Sequence, residues 1–190
     1  ITLSIGSNDL LIAFYKAVAS AYGLEFYDNN VIDEAKEKFL VASLSEKYDM
    51  IKKLYNEVSS PKMKTNIDKA YKNYEKNFSR VIKYLKKENP TATIVAVEYY
   101  NPYHTLSIPF FDETSEKINK YLDTYVEKLN NYLYKNQKLG YKIAYIKDNF
   151  YLAKACNSRL SLFTFNLDPH PNKLGHYIIY SEIIKTLNQK

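Results

Sequence analysis

Three short apolar runs constrain this chain more than any other feature. Residues 1–5 (ITLSI), 91–100 (TATIVAVEYY) and 141–146 (YKIAYI) are rich in β-branched or aromatic residues, and none alternates strictly with polar ones. A strand wet on one face would alternate, so these runs read as parallel strands buried on both faces, with helices between them. The intervening sequence supplies the helices. Residues 9–22 repeat apolar side chains at helical spacing (Leu10, Phe14, Ala17, Val18, Ala21) and stop at Gly23, a residue suited to a helix C-terminus. Two longer patterns cover 31–58 and 64–88, separated by a turn at Ser59, Ser60 and Pro61, and Asn89-Pro90 closes the second. After the second strand come a loop at 101–115 and a helix over about 116–137, and Gly140 opens the third strand. A last helix is expected over about 175–187.

Strand and helix in alternation predict an α/β fold, a three-layer sandwich around a central parallel sheet with right-handed crossovers. A chain of 190 residues suits one domain, 1–190, with a helical insertion at about 25–88 placed as a cap near the functional edge. The tyrosines of that insertion are expected in the core. Such a sheet usually has about five strands, and three are visible. The chain also starts without an initiator Met, a basic n-region or a leader pattern, so the missing strands are expected upstream of Ile1.

Composition narrows the function classes. Hydrophobic residues make up 46% and charged residues 25%, which is globular and not disordered usage. The net charge is +6, yet lysines alternate with acidic residues, as in EAKEK (34–38) and SEKYDMIKK (45–53), so a solvated surface is expected and no nucleic-acid partner. Cys156 is the single cysteine, which excludes an internal disulfide and reads as a small buried hydrophobe. Three histidines and one cysteine, at 104, 156, 170 and 176, make no zinc set, and four scattered glycines make no phosphate loop. No metal or cofactor is expected, and no run of about 18 apolar residues suggests a membrane span.

Two motifs carry chemistry. Gly6-Ser7-Asn8-Asp9 follows the first strand and precedes a helix, so its side chains fall at the carboxyl edge of the sheet, where ligands bind in such folds. Its structural reading is a glycine turn with Asp9 capping the helix. Asp168-Pro169-His170-Pro171-Asn172 holds a histidine between two prolines, which restrict the backbone on both sides and fix where the imidazole points. Gly175-His176 follows, at the start of the last helix.

Together and in this order, the two stretches resemble the third and fifth sequence blocks of the SGNH (GDSL-type) hydrolases. ITLSIGSNDLL (1–11) looks like that family's strand and Gly-x-Asn-Asp block, and DPHPNKLGHYII (168–179) like its terminal Asp/His block; VAVEYYNPY (95–103) is a softer similarity. The resemblance implies a flavodoxin-like fold and serine-dependent hydrolysis of carboxylic esters, of lipid or acetylated-carbohydrate type, through an acyl-serine. It implies that Asn8 supplies the oxyanion-hole amide, that His170 is the general base, and that Asp168 orients it. The family's usual acid stands three residues before the histidine, where this chain has Leu167; a backbone carbonyl or Asp148 are the alternatives to Asp168 as orienting group. Ser7, Asn101 and His104 are candidate substrate-lining residues, and His176 is read as structural. The family's Gly-Asp-Ser block does not occur here, Ser7 lies inside the Asn8 block, and Ser4 has no elbow around it. The nucleophile is therefore expected from an upstream N-terminal segment of the same protein, in a secreted or cell-envelope setting in a bacterium. From another class, the alternative is a noncatalytic module of this fold docking on an anionic envelope surface or partner.

Overall fold

The computed structural model of the chain describes residues 1–27, 30–104, 112–160 and 164–189. The chain is mostly helical, with a small parallel sheet in the order β1-β2-β3 formed by Thr2–Leu3, Val95–Val97 and Lys142–Ala144. Thr2 aligns with Val95, and Val95 with Lys142. The first run thus lies beside the second; among the described residues β2 is its only neighbour, and Thr2 is exposed.

The helices are α1 (Ser7–Tyr22), α2 (Val31–Val41), α3 (Leu44–Val58), α4 (Pro61–Glu88), α5 (Asp112–Lys135), α6 (Lys147–Ala153) and α7 (Lys173–Asn188), with a 3-10 turn at Gln137–Leu139. Gly23 ends α1 at φ +63°, where its N–H and that of Leu24 close on Ser20 and Ala19 carbonyls. The single helix expected over 31–58 is broken at Ser43. Its hydroxyl accepts from the Glu46 N–H at 3.3 Å while the Glu46 carboxylate accepts from the Ser43 N–H at 2.8 Å, a reciprocal cap that starts a new helix. Pro61, expected in a turn, is the first residue of α4, capped by Ser60. The third apolar run turns after Ala144 into the unexpected α6, because Glu98 at the end of β2 accepts from the Ile146 and Lys147 N–H groups, both at 2.8 Å. An unexpected antiparallel pair, β4 (Arg159–Leu160) with β5 (Phe165–Asn166), precedes the histidine motif.

Both faces of β2 are covered. Ile94, Ala96 and Ile143 share a core with Phe78 and Ile82 of α4 and Leu129 and Leu133 of α5. Val97 on the other face packs with Ile146, Phe150 and Cys156, against Ile179 and Ile183 of α7. The insertion forms its own cluster, in which Val31, Ala35, Phe39, Ile51 and Leu54 pack on α1. It is not a separable cap, since the second half of α4 is a sheet-covering helix. Of its tyrosines only Tyr74 is buried; Tyr27, Tyr48 and Tyr84 are exposed. No helix among the described residues is long and apolar enough to cross a membrane.

Candidate active site

The first motif sits where β1 hands over to α1. Gly6 adopts φ +99°, and a Cβ there would run into the Tyr74 ring, so glycine is required both by the backbone and by space. Ser7 and Asn8 occupy the first turn of α1, with no side-chain cap ahead of them. Gly6, and not Asp9, takes the capping position of α1, and the Asp9 side chain lies outside what the structure describes. Asn8 is exposed, and its amide bonds to no other described residue. Its donor group and the open N–H groups of the helix start therefore share one edge.

The second motif closes on itself. Asp168 Oδ1 lies 2.5 Å from His170 Nδ1 and accepts the His170 backbone N–H at 3.0 Å, while Asn157 donates to Asp168 Oδ2 at 3.1 Å. Partial burial pushes the Asp168 carboxyl up, but the bonds from the His170 backbone and ring and from Asn157 outweigh it and hold the group below its usual range. A spacing of two thus suffices to bring acid and imidazole together. Leu167, at the usual position of the acid, is buried in the core, and Asp148, the remote alternative, is an exposed residue of α6 beside Tyr134 and Glu182.

The loop is fastened from several sides. Tyr103, fully buried, donates to the Leu167 carbonyl at 3.1 Å, and Tyr100 donates to the Pro169 carbonyl at 3.1 Å. Burial, with the Asp168 charge nearby, raises the pKa of both phenols and keeps them donors. The His170 carbonyl accepts from Asn157 N–H at 3.1 Å, and Asn172 caps α7 through the Gly175 N–H at 3.0 Å. At Gly175 a Cβ would collide with the Ala155 carbonyl and stand 2.8 Å from Pro171 Cβ, so α7 approaches the loop as closely as it does only because that residue is glycine. His176 is exposed in α7.

The two motifs face one cavity of about 260 Å³. Ser4, Ser7 and Asn8 line its mouth on one side and Pro169, His170 and Pro171 on the other, with residues 97–103 between them. The His170 side chain is 77% exposed, and its Nε2 bonds to no described group. The other candidates divide. Asn101 lines the cavity but is buried, its amide donating to Asp123 at 3.1 Å and its carbonyl oxygen accepting from the Tyr103 N–H at 2.9 Å, so it is committed to structure. His104 lies outside the cavity lining, stacked on Tyr151 at 3.7 Å with its Nδ1 3.9 Å from Asp123. The rest of the loop after it, 105–111, lies outside the described residues. Cys156 is buried behind the loop.

Sequence reading did not assign roles to Tyr99, Tyr100, Tyr103, Asn157 or Glu98. The signal available was the softer similarity over 95–103, whose tyrosines are now seen to hold both motifs: Tyr99 donates to the Ile5 carbonyl, one residue before Gly6. Among the described residues no three His, Cys, Asp or Glu side chains are grouped so as to hold a metal ion. No family model, no curated protein and no solved structure matches the chain.

Proposed function

We propose that the chain carries the base, its orienting acid and an oxyanion donor of a serine ester hydrolase of SGNH type, with the nucleophilic serine supplied by a segment upstream of residue 1. The observation that carries this reading is that Asn8 and His170, which is bonded to Asp168 and lies far from Asn8 in sequence, border one cavity at the carboxyl edge of the sheet. In this reading the domain is a three-layer sandwich: α7 covers one face of β2 and β3, α4 and α5 cover the other, and further strands pair beside β1, whose outer edge has no partner among the described residues.

The steps follow from the groups at the mouth. His170 Nε2 takes the serine proton as the hydroxyl oxygen attacks the ester carbonyl, and Asp168 at Nδ1 stabilises the imidazolium. The carbonyl π pair moves to oxygen, where the Asn8 amide donates; one such donor is worth about 2.7–4 kcal/mol in the transition state. Collapse expels the alcohol, which takes the proton from His170, and leaves an acyl-serine. Water then repeats the sequence, with His170 as base, to release the acid. No metal or organic cofactor enters these steps.

The test is hydrolysis of p-nitrophenyl esters by the protein at its natural length. Turnover that falls by about 10³-fold or more in His170→Ala, and in the alanine variant of an upstream Gly-Asp-Ser serine, supports the reading. Turnover that instead disappears in Ser7→Ala moves the nucleophile into this chain. No turnover with any ester favours the noncatalytic module.

A further inference from the structure

The cavity is built for more than the two motifs at its mouth. Behind Asn8 and His170 it runs inward between α1, α4 and α5, where its walls include Leu11, Phe14, Met63, Ile67, Val126 and Leu129. These walls belong to two different cores: Phe14, Met63 and Ile67 to the cluster of the insertion, Val126 and Leu129 to the cluster on the sheet. All of these except Leu11 are buried residues, whereas Ser4, Ser7 and Asn8 at the mouth are exposed. Protein interiors are close-packed, with few voids larger than a water molecule. A seam of about 260 Å³ left open between two apolar cores, mainly apolar in its walls and bordered by Ser7, Asn8 and His170, suits an amphiphile.

Resting on the ester-hydrolase reading, we propose that this seam is the acyl site, and that the substrate is the ester of a medium-length alkyl acid and not an acetyl ester. Its carbonyl would lie at Asn8 and His170 and its chain between the helices, so α4, which belongs to the insertion, sets chain length through Met63 and Ile67. A cavity of about 150 Å³ lined by Leu, Ile and Phe takes up benzene, so this larger one suits a chain of about eight to ten carbons. An acetyl group would leave most of the apolar wall uncovered.

The experiment separates the seam from the chemistry. The protein at its natural length is titrated with 1-alkanols from butanol to decanol, which carry the chain but no bond to cleave. Binding is followed by calorimetry and by the methyl NMR signals of Ile67, Val126 and Leu129. Affinity is expected to rise about fourfold per added methylene and to level off near eight to ten carbons. Leu11→Trp, at the partly buried wall near the mouth, is expected to weaken the longer alkanols at least tenfold, and Ile67→Ala to move the plateau to longer chains. Affinity independent of chain length in the wild type, or a length dependence unchanged in a folded Leu11→Trp protein, overturns the proposal. Alkanol binding without ester hydrolysis would keep the seam as an alkyl site and remove the hydrolase reading. Equal hydrolysis of acetyl and decanoyl esters without alkanol binding would do the reverse.

Discussion

Replacing Tyr103 by Phe removes one oxygen from the deepest support of the histidine loop and leaves the ring in place. The ring packs on Phe14 with centroids 4.8 Å apart, and phenylalanine keeps that contact. What is lost is the 3.1 Å bond to the Leu167 carbonyl, along with the contact to the Tyr15 hydroxyl. Leu167 is 1% exposed and Tyr103 2%, so water does not readily take the place of the lost donor. An orphaned buried acceptor costs about 1–3 kcal/mol, more than the roughly 1 kcal/mol net value of an average hydrogen bond. For a domain of this size that corresponds to a fall in Tm of about 2–12 °C. Calorimetric unfolding of the two proteins measures it, and amide exchange at Asp168 and His170 reports whether the loss is local. The expected result is a lower Tm together with faster exchange at those two amides. A Tm within about 1 °C of wild type, with exchange unchanged, would refute the claim that this hydroxyl holds the loop.

Gly175→Ala should destabilise the protein by about 1–3 kcal/mol, because the new methyl group meets the Ala155 carbonyl and Pro171 and must push α7 outward; the urea midpoint measures it. Ser43→Ala removes the cap that starts α3 and should cost about 1 kcal/mol in the same assay. Asp168→Asn should change the pH profile of stability. The folded carboxyl is held below its unfolded value of about 3.9, so its contribution is present above that pH and is lost as pH falls through the folded value. The gap between the urea midpoints of wild type and variant should therefore be widest above about pH 5 and narrow below about pH 4. A gap that widens on acidification would mean that the Asp168 carboxyl is raised and not lowered.

How much of this was legible depended on whether the cause was local. The three strand runs, the stop at Gly23 and the two motif turns follow from residues adjacent in sequence, and they stand in the structure close to where periodicity and glycine put them. The break at Ser43 was equally local, since Ser and Glu at positions 43 and 46 are a capping signature, but the apolar pattern runs through it and hid it. By contrast, α6 begins where it does because of Glu98, 49 residues before Lys147, a carboxylate buried at the end of an apolar run. Nothing near 147 announces that partner. Spacing alone does not say whether a carboxylate two residues away can reach the ring, so the sequence does not choose Asp168 as the orienting group. The Asx-type turn, in which the same oxygen accepts the His170 backbone N–H, shortens the path enough that it does.

The same distinction explains why both halves of the candidate site depend on one tyrosine-rich stretch that has no chemistry of its own. Asn8 and His170 stand on separate turns, and neither turn contacts the other through a hydrogen bond among the described residues. Each is tied to the segment that follows β2: the Gly6 turn through Tyr99 at the Ile5 carbonyl, the histidine loop through Tyr100 at Pro169 and Tyr103 at Leu167. That segment is itself fixed to α5, where the Asn130 side chain donates to the Tyr99 carbonyl at 2.9 Å and accepts its N–H at 2.8 Å. A buried asparagine bonded to the backbone in both directions continues the strand's hydrogen bonding beyond the end of β2. A cavity mouth whose two sides are both referenced to one segment has its width set by that segment, and that width is what sets whether an amide at position 8 and an imidazole at position 170 can act on the same atom.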